Sequence, residues 1–397
     1  MLRKGWIGLL AIAIMLAFSA PALAADEKLA QPKAGTGGVD LAPNASSAVL
    51  MDADTGTVLY EKNMHDKKAP ASITKIMTMV LIMEALDQGK IKMNEKVRTS
   101  EYAASMGGSQ IFLEPGEEMT VEEMLKGIAM ASGNDASVAM AEKIAGSEEA
   151  FVKMMNAKAK QLGMNNTHFV NVNGLPADNH YTSAMDIATM SKELLKHEEI
   201  TKFTGAYQDY LRKETAKPFW LVNTNKLVRF YSGADGLKTG YTSEAKFCLS
   251  ATAKRENFRV IAVVMGEPNT KTRNAEVTKL FDFAFSQYTN HPIFKTGDPM
   301  GTLQVEKGKT SQVPLIATHQ YSVLLKKGDA GEDIRHELQF NPNLKAPIAA
   351  GQPIGKLVVF KGDTKLAEFD LESPTNIAKA GLWTMLKRTA QRMVTVD

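Results

Sequence analysis

Ala69-Pro70-Ala71-Ser72-Ile73-Thr74-Lys75, followed by the apolar run Ile76 to Leu86, is the stretch from which the chain is best read. A proline ahead of small residues marks a helix entry, and no turn breaker follows until Gly89. On a helix, Ser72 and Lys75 stand three apart and share one face. Ile73, Ile76, Met77, Met79, Val80, Leu81, Ile82 and Met83 make that helix apolar nearly all round, which predicts burial in a large core. A serine hydroxyl attacks a carbonyl only when a base takes its proton. An amine out of water can be that base, because desolvation disfavours the ammonium. A lysine buried there without a task is costly. Taken alone, the stretch nonetheless fits a helix cap with a snorkelling lysine better than a nucleophile and its base.

Its companions along the chain change the balance. Ser-x-x-Lys by itself is weak, since it recurs at Ser243-Glu244-Ala245-Lys246. That copy reads as extended chain, where residues three apart point to opposite faces. Lys-Thr-Gly also occurs twice. Lys295-Thr296-Gly297 runs into Asp298-Pro299 and reads as an interdomain turn. Lys238-Thr239-Gly240 leads into the strand pair Phe247–Ala253 and Phe258–Met265, so a backbone amide there can line a cleft. Ser132-Gly133-Asn134 breaks a helical pattern running from Thr120 to Ala145.

The order Ser72/Lys75, Ser132/Asn134, Lys238/Thr239/Gly240 resembles the signature of serine β-lactamases and penicillin-binding proteins. More closely, the chain resembles the low-molecular-weight D-alanyl-D-alanine carboxypeptidases of bacterial cell walls. Pro70 to Lys75, Ser132 to Ala136, Asn171-Val172-Asn173-Gly174-Leu175 and Asp235 to Thr242 carry that likeness, which extends over nearly the whole chain. It implies an α+β penicillin-binding transpeptidase-like fold, an antiparallel sheet flanked by helices plus a helical subdomain. A small all-β domain and a C-terminal amphipathic helix would follow. It also implies roles. Ser72 would attack the bond between two terminal D-alanines of a peptidoglycan stem peptide, with Lys75 as general base and Ser132 relaying a proton to the leaving D-alanine. Asn134 would hold the substrate amide, and Lys238 would keep the local field positive. The amides of Ser72 and Tyr241, beside Gly240, would form the oxyanion hole, and Thr239 and Arg273 would bind the free carboxylate. β-Lactam antibiotics would be covalent inhibitors, and no cofactor is implied. His180 is expected to shape the cleft rim.

Composition sets the surroundings. The 397 residues allow two or three domains, and a net charge of +3 with no basic run interleaved with aromatics sets nucleic acid aside. Arg3 and Lys4, the apolar stretch Trp6 to Phe18 and Ala22-Leu23-Ala24 form an export signal over 1–24, too short to span a bilayer. A polar, glycine-bearing leader over 25–44 follows. The catalytic unit is expected over 45–290, a β-rich domain with short strands and Gly, Asn-Pro and Gly-Asp turns over 291–374, and an amphipathic helix over 375–397. Leu382, Trp383, Met385, Leu386, Ala390 and Met393 on one face, with Lys387, Arg388 and Arg392 mostly opposite, fit an in-plane anchor on the outer membrane surface. Cys248, the sole cysteine, lies in an apolar strand run, and no His-Glu-x-x-His motif suggests a metal.

Three rivals share parts of this reading. A class A β-lactamase needs an additional glutamate for its deacylating water, and Glu193-Leu194-Leu195-Lys196 does not supply the Glu-x-x-Leu-Asn pattern. A D-alanyl-D-alanine endopeptidase would use the same residues. A non-catalytic wall-binding module would have no use for an activated nucleophile.

Overall fold

The computed structural model describes residues 39–329 and 331–383; the expected export signal, the leader up to residue 38 and residues 384–397, where most of the amphipathic helix is expected, lie outside them. Five strands form one antiparallel sheet: β1 (Ser47–Asp52), β2 (Val58–Lys62), β3 (Ala234–Thr242), β4 (Lys246–Arg255) and β5 (Phe258–Glu267), in the spatial order β2-β1-β5-β4-β3. The hairpin expected after Lys238-Thr239-Gly240 is β4–β5, with Lys254 opposite Arg259 and Ala253 opposite Val260.

The sheet is covered on both faces, so its strands read as near-continuous apolar runs. Ala48, Leu50, Ala262 and Val264 face α6 (Thr270–Gln287), meeting Val277, Leu280, Phe281 and Ala284. The alternate residues Val49, Met51, Ile261 and Val263 face the main core around α1 (Lys75–Asp87). Period-two alternation thus assigns each strand side chain to one of two helical layers. Helix α1 is buried from Lys75 through Met83, as its apolar circumference requires. Around it pack α2 (Val121–Lys126), α3 (Asn134–Ala145), α4 (Glu148–Gln161) and α5 (Ala184–Leu195). Thr120 starts α2 with a capping box completed by Glu123.

Beyond α6 the chain builds a second core from short strands around Leu303, Val323, Ile354, Leu357 and Val359. β6 (Tyr288–Phe294) follows α6 directly and pairs with Tyr321–Lys326, so Lys295-Thr296-Gly297 turns within this second unit, not between the two. Gln312–Ile316 and Thr364–Glu372 are strands the turn pattern did not reveal. The first is interrupted by Pro314 and lies in a two-stranded ladder, where one missing donor is tolerated. Asp54, in the β1–β2 turn, joins the two units. Its Oδ2 accepts from Asn290 Nδ2 at 3.1 Å, from Gln320 Nε2 at 3.2 Å and from the Ser322 hydroxyl.

The last residues assigned to the leader are docked. Asp40 accepts from the Tyr60 hydroxyl at 2.6 Å, Lys62 donates to the carbonyls of Ala42 and Pro43, and Ala42 is fully buried.

Candidate active site

Ser72 lies in a 3₁₀ turn, Ala71–Thr74, that runs straight into α1 at Lys75. In such a turn residues three apart eclipse, which aligns the two side chains better than an α-helix would. Lys75 Nζ stands 3.1 Å from Ser72 Oγ, 2.6 Å from Asn134 Oδ1 and 2.7 Å from the Asn173 carbonyl. The Asn134 amide is oriented by its other end, where Nδ2 donates to the Gly107 carbonyl at 2.7 Å. Two of the three partners of Lys75 therefore only accept. A neutral amine, with two hydrogens and one lone pair, satisfies both and turns its lone pair to the Ser72 hydroxyl. Burial pushes the Lys75 ammonium well below the ordinary lysine range, the nearby Lys238 charge pushes it further, and Asp135 partly opposes them.

Backbone packing places this pair. Gly174 has φ +87°, and a Cβ there would lie 1.8 Å from the Ala71 carbonyl oxygen. The loop carrying the Asn173 carbonyl can lie against the turn that carries Ser72 only because residue 174 has no side chain. Gly240 does the same from β3, where a Cβ would meet the Pro70 carbonyl and Ile73 at 3.1 Å. Ala71 itself sits at φ +47°, a conformation that costs an L-residue about 1–2 kcal/mol and recurs where function demands it.

Ser132 ends a π-type turn, Gly127–Ala131, in a left-handed conformation with φ 64° and ψ 32°. Its hydroxyl is buried and has no hydrogen-bond partner. That costs about 1–3 kcal/mol unless a ligand or water supplies one. Asp135 pins the opposite wall by accepting from the amides of Ile111 and Leu113 at 3.1 Å.

β3 is an edge strand, paired only with β4, so one side of its backbone is open toward the turn carrying Ser72. Lys238 is fully buried and donates to the Thr239 carbonyl at 2.9 Å; burial, with Arg273 adding repulsion, lowers it to about 7. Thr239 Oγ1 donates to Thr224 Oγ1 at 2.8 Å, and Tyr241 is exposed beside Phe247. Arg273, on α6, is buried and reaches the site through its field on Lys238; both Nε and Nη2 donate to Asn274 Oδ1.

The residues expected to act together thus converge: Ser72, Lys75 and Asn134 by direct contact, Lys238, Thr239, Gly240 and Tyr241 on the facing strand. The other Ser-x-x-Lys does not join them. Ser243-Glu244-Ala245 is the turn between β3 and β4, not extended chain, with Lys246 exposed at the start of β4. Cys248 is buried, its thiol pushed up to about 11 by burial. His180 is more than a rim residue. Its Nδ1 accepts from the Val170 amide at 3.0 Å, which places the proton on Nε2, 2.8 Å from Thr74 Oγ1. Burial lowers its pKa to about 4, so it is neutral. Contacts missed from sequence are those made by backbone, the carbonyls of Asn173 and Gly107; only the glycines at 174 and 108 signalled them.

Beyond Thr242 the surface opens into a groove of about 780 Å³ lined by Lys68, Asp178, His180, Tyr181, Glu244 and Lys246. Ser72 does not line it; a small cleft past Ala71, Gly174 and Thr242, beside the turn that carries Ser72, shares His180 and Glu244 with the groove.

Comparison with known proteins agrees with this geometry. Residues 35–269 match the D-alanyl-D-alanine carboxypeptidase family, and residues 288–379 match the C-terminal domain of penicillin-binding protein 5. The chain is 57% identical over 386 residues to the D-alanyl-D-alanine carboxypeptidase DacF of Bacillus subtilis, covering 97% of this chain and 98% of that one. It is 34% identical to DacA of Escherichia coli, covering 82% and 81%. Among solved structures, penicillin-binding protein 5 of Haemophilus influenzae superposes with a TM-score of 0.65 at 32% identity, over 85% of this chain and 98% of that one. Penicillin-binding protein D2 of Listeria monocytogenes in its ampicillin-bound form superposes at 0.56 and 29% identity, over 62% and 100%. With its α+β catalytic fold, its β-rich C-terminal domain and its serine–lysine pair, the chain belongs to the serine-type D-alanyl-D-alanine carboxypeptidases, penicillin-binding proteins that act on cell-wall peptidoglycan.

Proposed function

We propose that Ser72 is the nucleophile and neutral Lys75 its base, in removal of the last D-alanine from a peptidoglycan stem pentapeptide. The observation that carries this is the 3.1 Å contact between Lys75 Nζ and Ser72 Oγ, with both other Lys75 partners restricted to accepting. The Ser72 proton passes to Lys75 as Oγ bonds to the carbonyl carbon. The C–N bond then breaks, and the unpartnered Ser132 hydroxyl relays a proton to the departing D-alanine amine. Water hydrolyses the ester and restores Ser72. The amides of Ser72 and Tyr241 receive the oxyanion, a charge present only on the way between these states. Asn134 binds the substrate amide, and Thr239, charged Lys238 and Arg273 draw in the terminal carboxylate. The groove beyond Thr242 takes the rest of the stem peptide.

β-Lactams acylate the same serine, and without a dedicated deacylating glutamate the adduct is long-lived. The protein is exported and rests on the outer face of the cytoplasmic membrane through the chain beyond Ala380; residues 377–380, expected within the anchoring helix, pack on the β-rich unit instead, with Ile377 bridged to Ile348. Among the described residues no helix is long and apolar enough to cross a membrane. The expected division at 290 moves slightly: the catalytic unit runs from about residue 40 to the end of α6, and the β-rich unit begins at Tyr288 with β6 and includes Ile377.

D-Alanine release from a linear pentapeptide, measured beside cleavage of a cross-linked dimer, tests the carboxypeptidase reading. A preference for the dimer would make the endopeptidase reading the better one. A chain ending at Gly381, which keeps Ile377 and Ala380 on the β-rich unit, is expected in the soluble fraction; its retention on membranes would place the anchor elsewhere.

A further inference from the structure

Glu267 ends β5 wholly out of water, and neither of its carboxyl oxygens receives a hydrogen bond. The group it meets is another carboxylate, Glu276 of α6. Glu276 is already supplied with donors: Asn44 N at 3.0 Å, Asn44 Nδ2 at 2.6 Å and Ala45 N at 3.2 Å. An ionised Glu267 would be unsolvated, unpaired and pressed against a like charge. Glu267 therefore carries a proton, which it donates to Glu276. Burial and that hydrogen bond push its carboxyl up to about 8, within reach of mild alkali.

The other titratable groups facing Glu267 are few. Lys62 of β2 is committed to Asp40 and to the carbonyls of Ala42 and Pro43. Cys248 of β4 stays a thiol across this range. Arg273, one turn before Glu276 on α6, is buried with no acidic partner in hydrogen-bond contact, and it feels both Glu267 and Lys238. Arg273 is thus coupled by charge both to the proton-dependent Glu267 and to Lys238 of the cleft.

We propose that Glu267 is a positioning residue for Arg273: protonated, it leaves the guanidinium available to the substrate's terminal carboxylate, and once ionised it pairs with the guanidinium and withdraws it. The inference rests on the reading of Arg273 as a carboxylate-binding group given above. Its consequence is weaker capture of carboxylate-ended peptides on the alkaline side, separate from any effect on the serine–lysine pair.

The test uses the full chain with Ser72→Ala, titrated with one D-Ala-D-Ala peptide as its free acid and as its C-terminal amide. The ratio of the two dissociation constants isolates the carboxylate contact. Between about pH 7 and 9.5 the free-acid advantage is expected to fall by about fivefold or more, and adding Glu267→Gln is expected to abolish that part of the fall. Glutamine can donate to Glu276 as the protonated acid does, so the fold is kept. Lys238 also loses its proton in this range, and its contribution persists in both proteins. An equal fall with and without Glu267→Gln, or no fall, overturns the inference. Retention of the free-acid advantage in Ser72→Ala/Arg273→Ala would instead overturn the reading of Arg273.

Discussion

Asn134 Oδ1 sits 2.6 Å from Lys75 Nζ, while the other end of the same amide is committed to the Gly107 carbonyl at 2.7 Å. The amide cannot turn round without setting two acceptors face to face at Gly107 and an N–H against the amine. One side chain thus fixes where the lysine's hydrogens go, and by elimination where its lone pair points. Substrate binding by Asn134 has to proceed within that constraint.

Asn134→Asp tests the constraint directly. A carboxylate at that distance favours the ammonium and raises the Lys75 pKa, so less of the free amine is present at neutral pH. Acylation by a fluorescent penicillin is expected to slow at pH 7 and to recover as pH rises. A pH profile unchanged from that of the native protein would mean that Asn134 does not set the charge state of Lys75.

The native pH profile of kcat/KM should be a bell. Its acid limb is protonation of Lys75, which removes the base. Its alkaline limb is loss of the proton from Lys238, lowered by burial to about 7, which removes positive field from the carboxylate site. Lys238→Arg keeps the charge at all accessible pH and should carry the alkaline limb upward, leaving the acid limb in place. Removing the base itself, by Lys75→Ala, should cost about 10²–10⁴ in acylation rate.

Gly174→Ala is expected to be severe. The added Cβ would fall 1.8 Å from the Ala71 carbonyl oxygen at a positive φ, so the loop bearing the Asn173 carbonyl must move off the turn that carries Ser72. Penicillin labelling should be largely lost, and the melting temperature should drop. Gly146→Ala, also at positive φ but in open space, controls for backbone strain alone and should retain labelling.

Asp54→Ala removes the acceptor shared by Asn290, Gln320 and Ser322, leaving donors unmatched at the joint between the two units. A loss of about 1–3 kcal/mol is expected, read as an earlier or split transition in calorimetry with the catalytic rate maintained. A single transition at the native temperature would show the clasp to be dispensable.

Much of this was legible in the chain because local rules and tertiary packing agree. The all-round apolar character of Ile76 to Met83 announced a central buried helix, and the apolar run Phe258 to Met265 announced a strand, which the fold buries between two layers. The Ser72–Lys75 pair was legible as well, though not its 3₁₀ geometry. What escaped were features that carry no side-chain signal. The Asn173 and Gly107 carbonyls hold the lysine and its amide through backbone, where any residue type offers the same oxygen. The β3–β4 turn at Ser243 was mistaken for strand because its residues lack a strong turn signature. Gln312–Ile316 and Thr364–Glu372 alternate weakly and were hidden among turn residues. Nothing in the sequence sets Glu267 apart, because its lack of any donor arises only in the packed fold.

The most direct measurement is the site and persistence of the covalent adduct. After incubation with penicillin, intact-mass analysis and peptide mapping should show one penicilloyl group on Ser72, stable for many turnover times of D-alanine release from a pentapeptide. Ser72→Ala should show neither adduct nor release. An adduct mapped to any other residue, or D-alanine release that survives Ser72→Ala, would contradict the account.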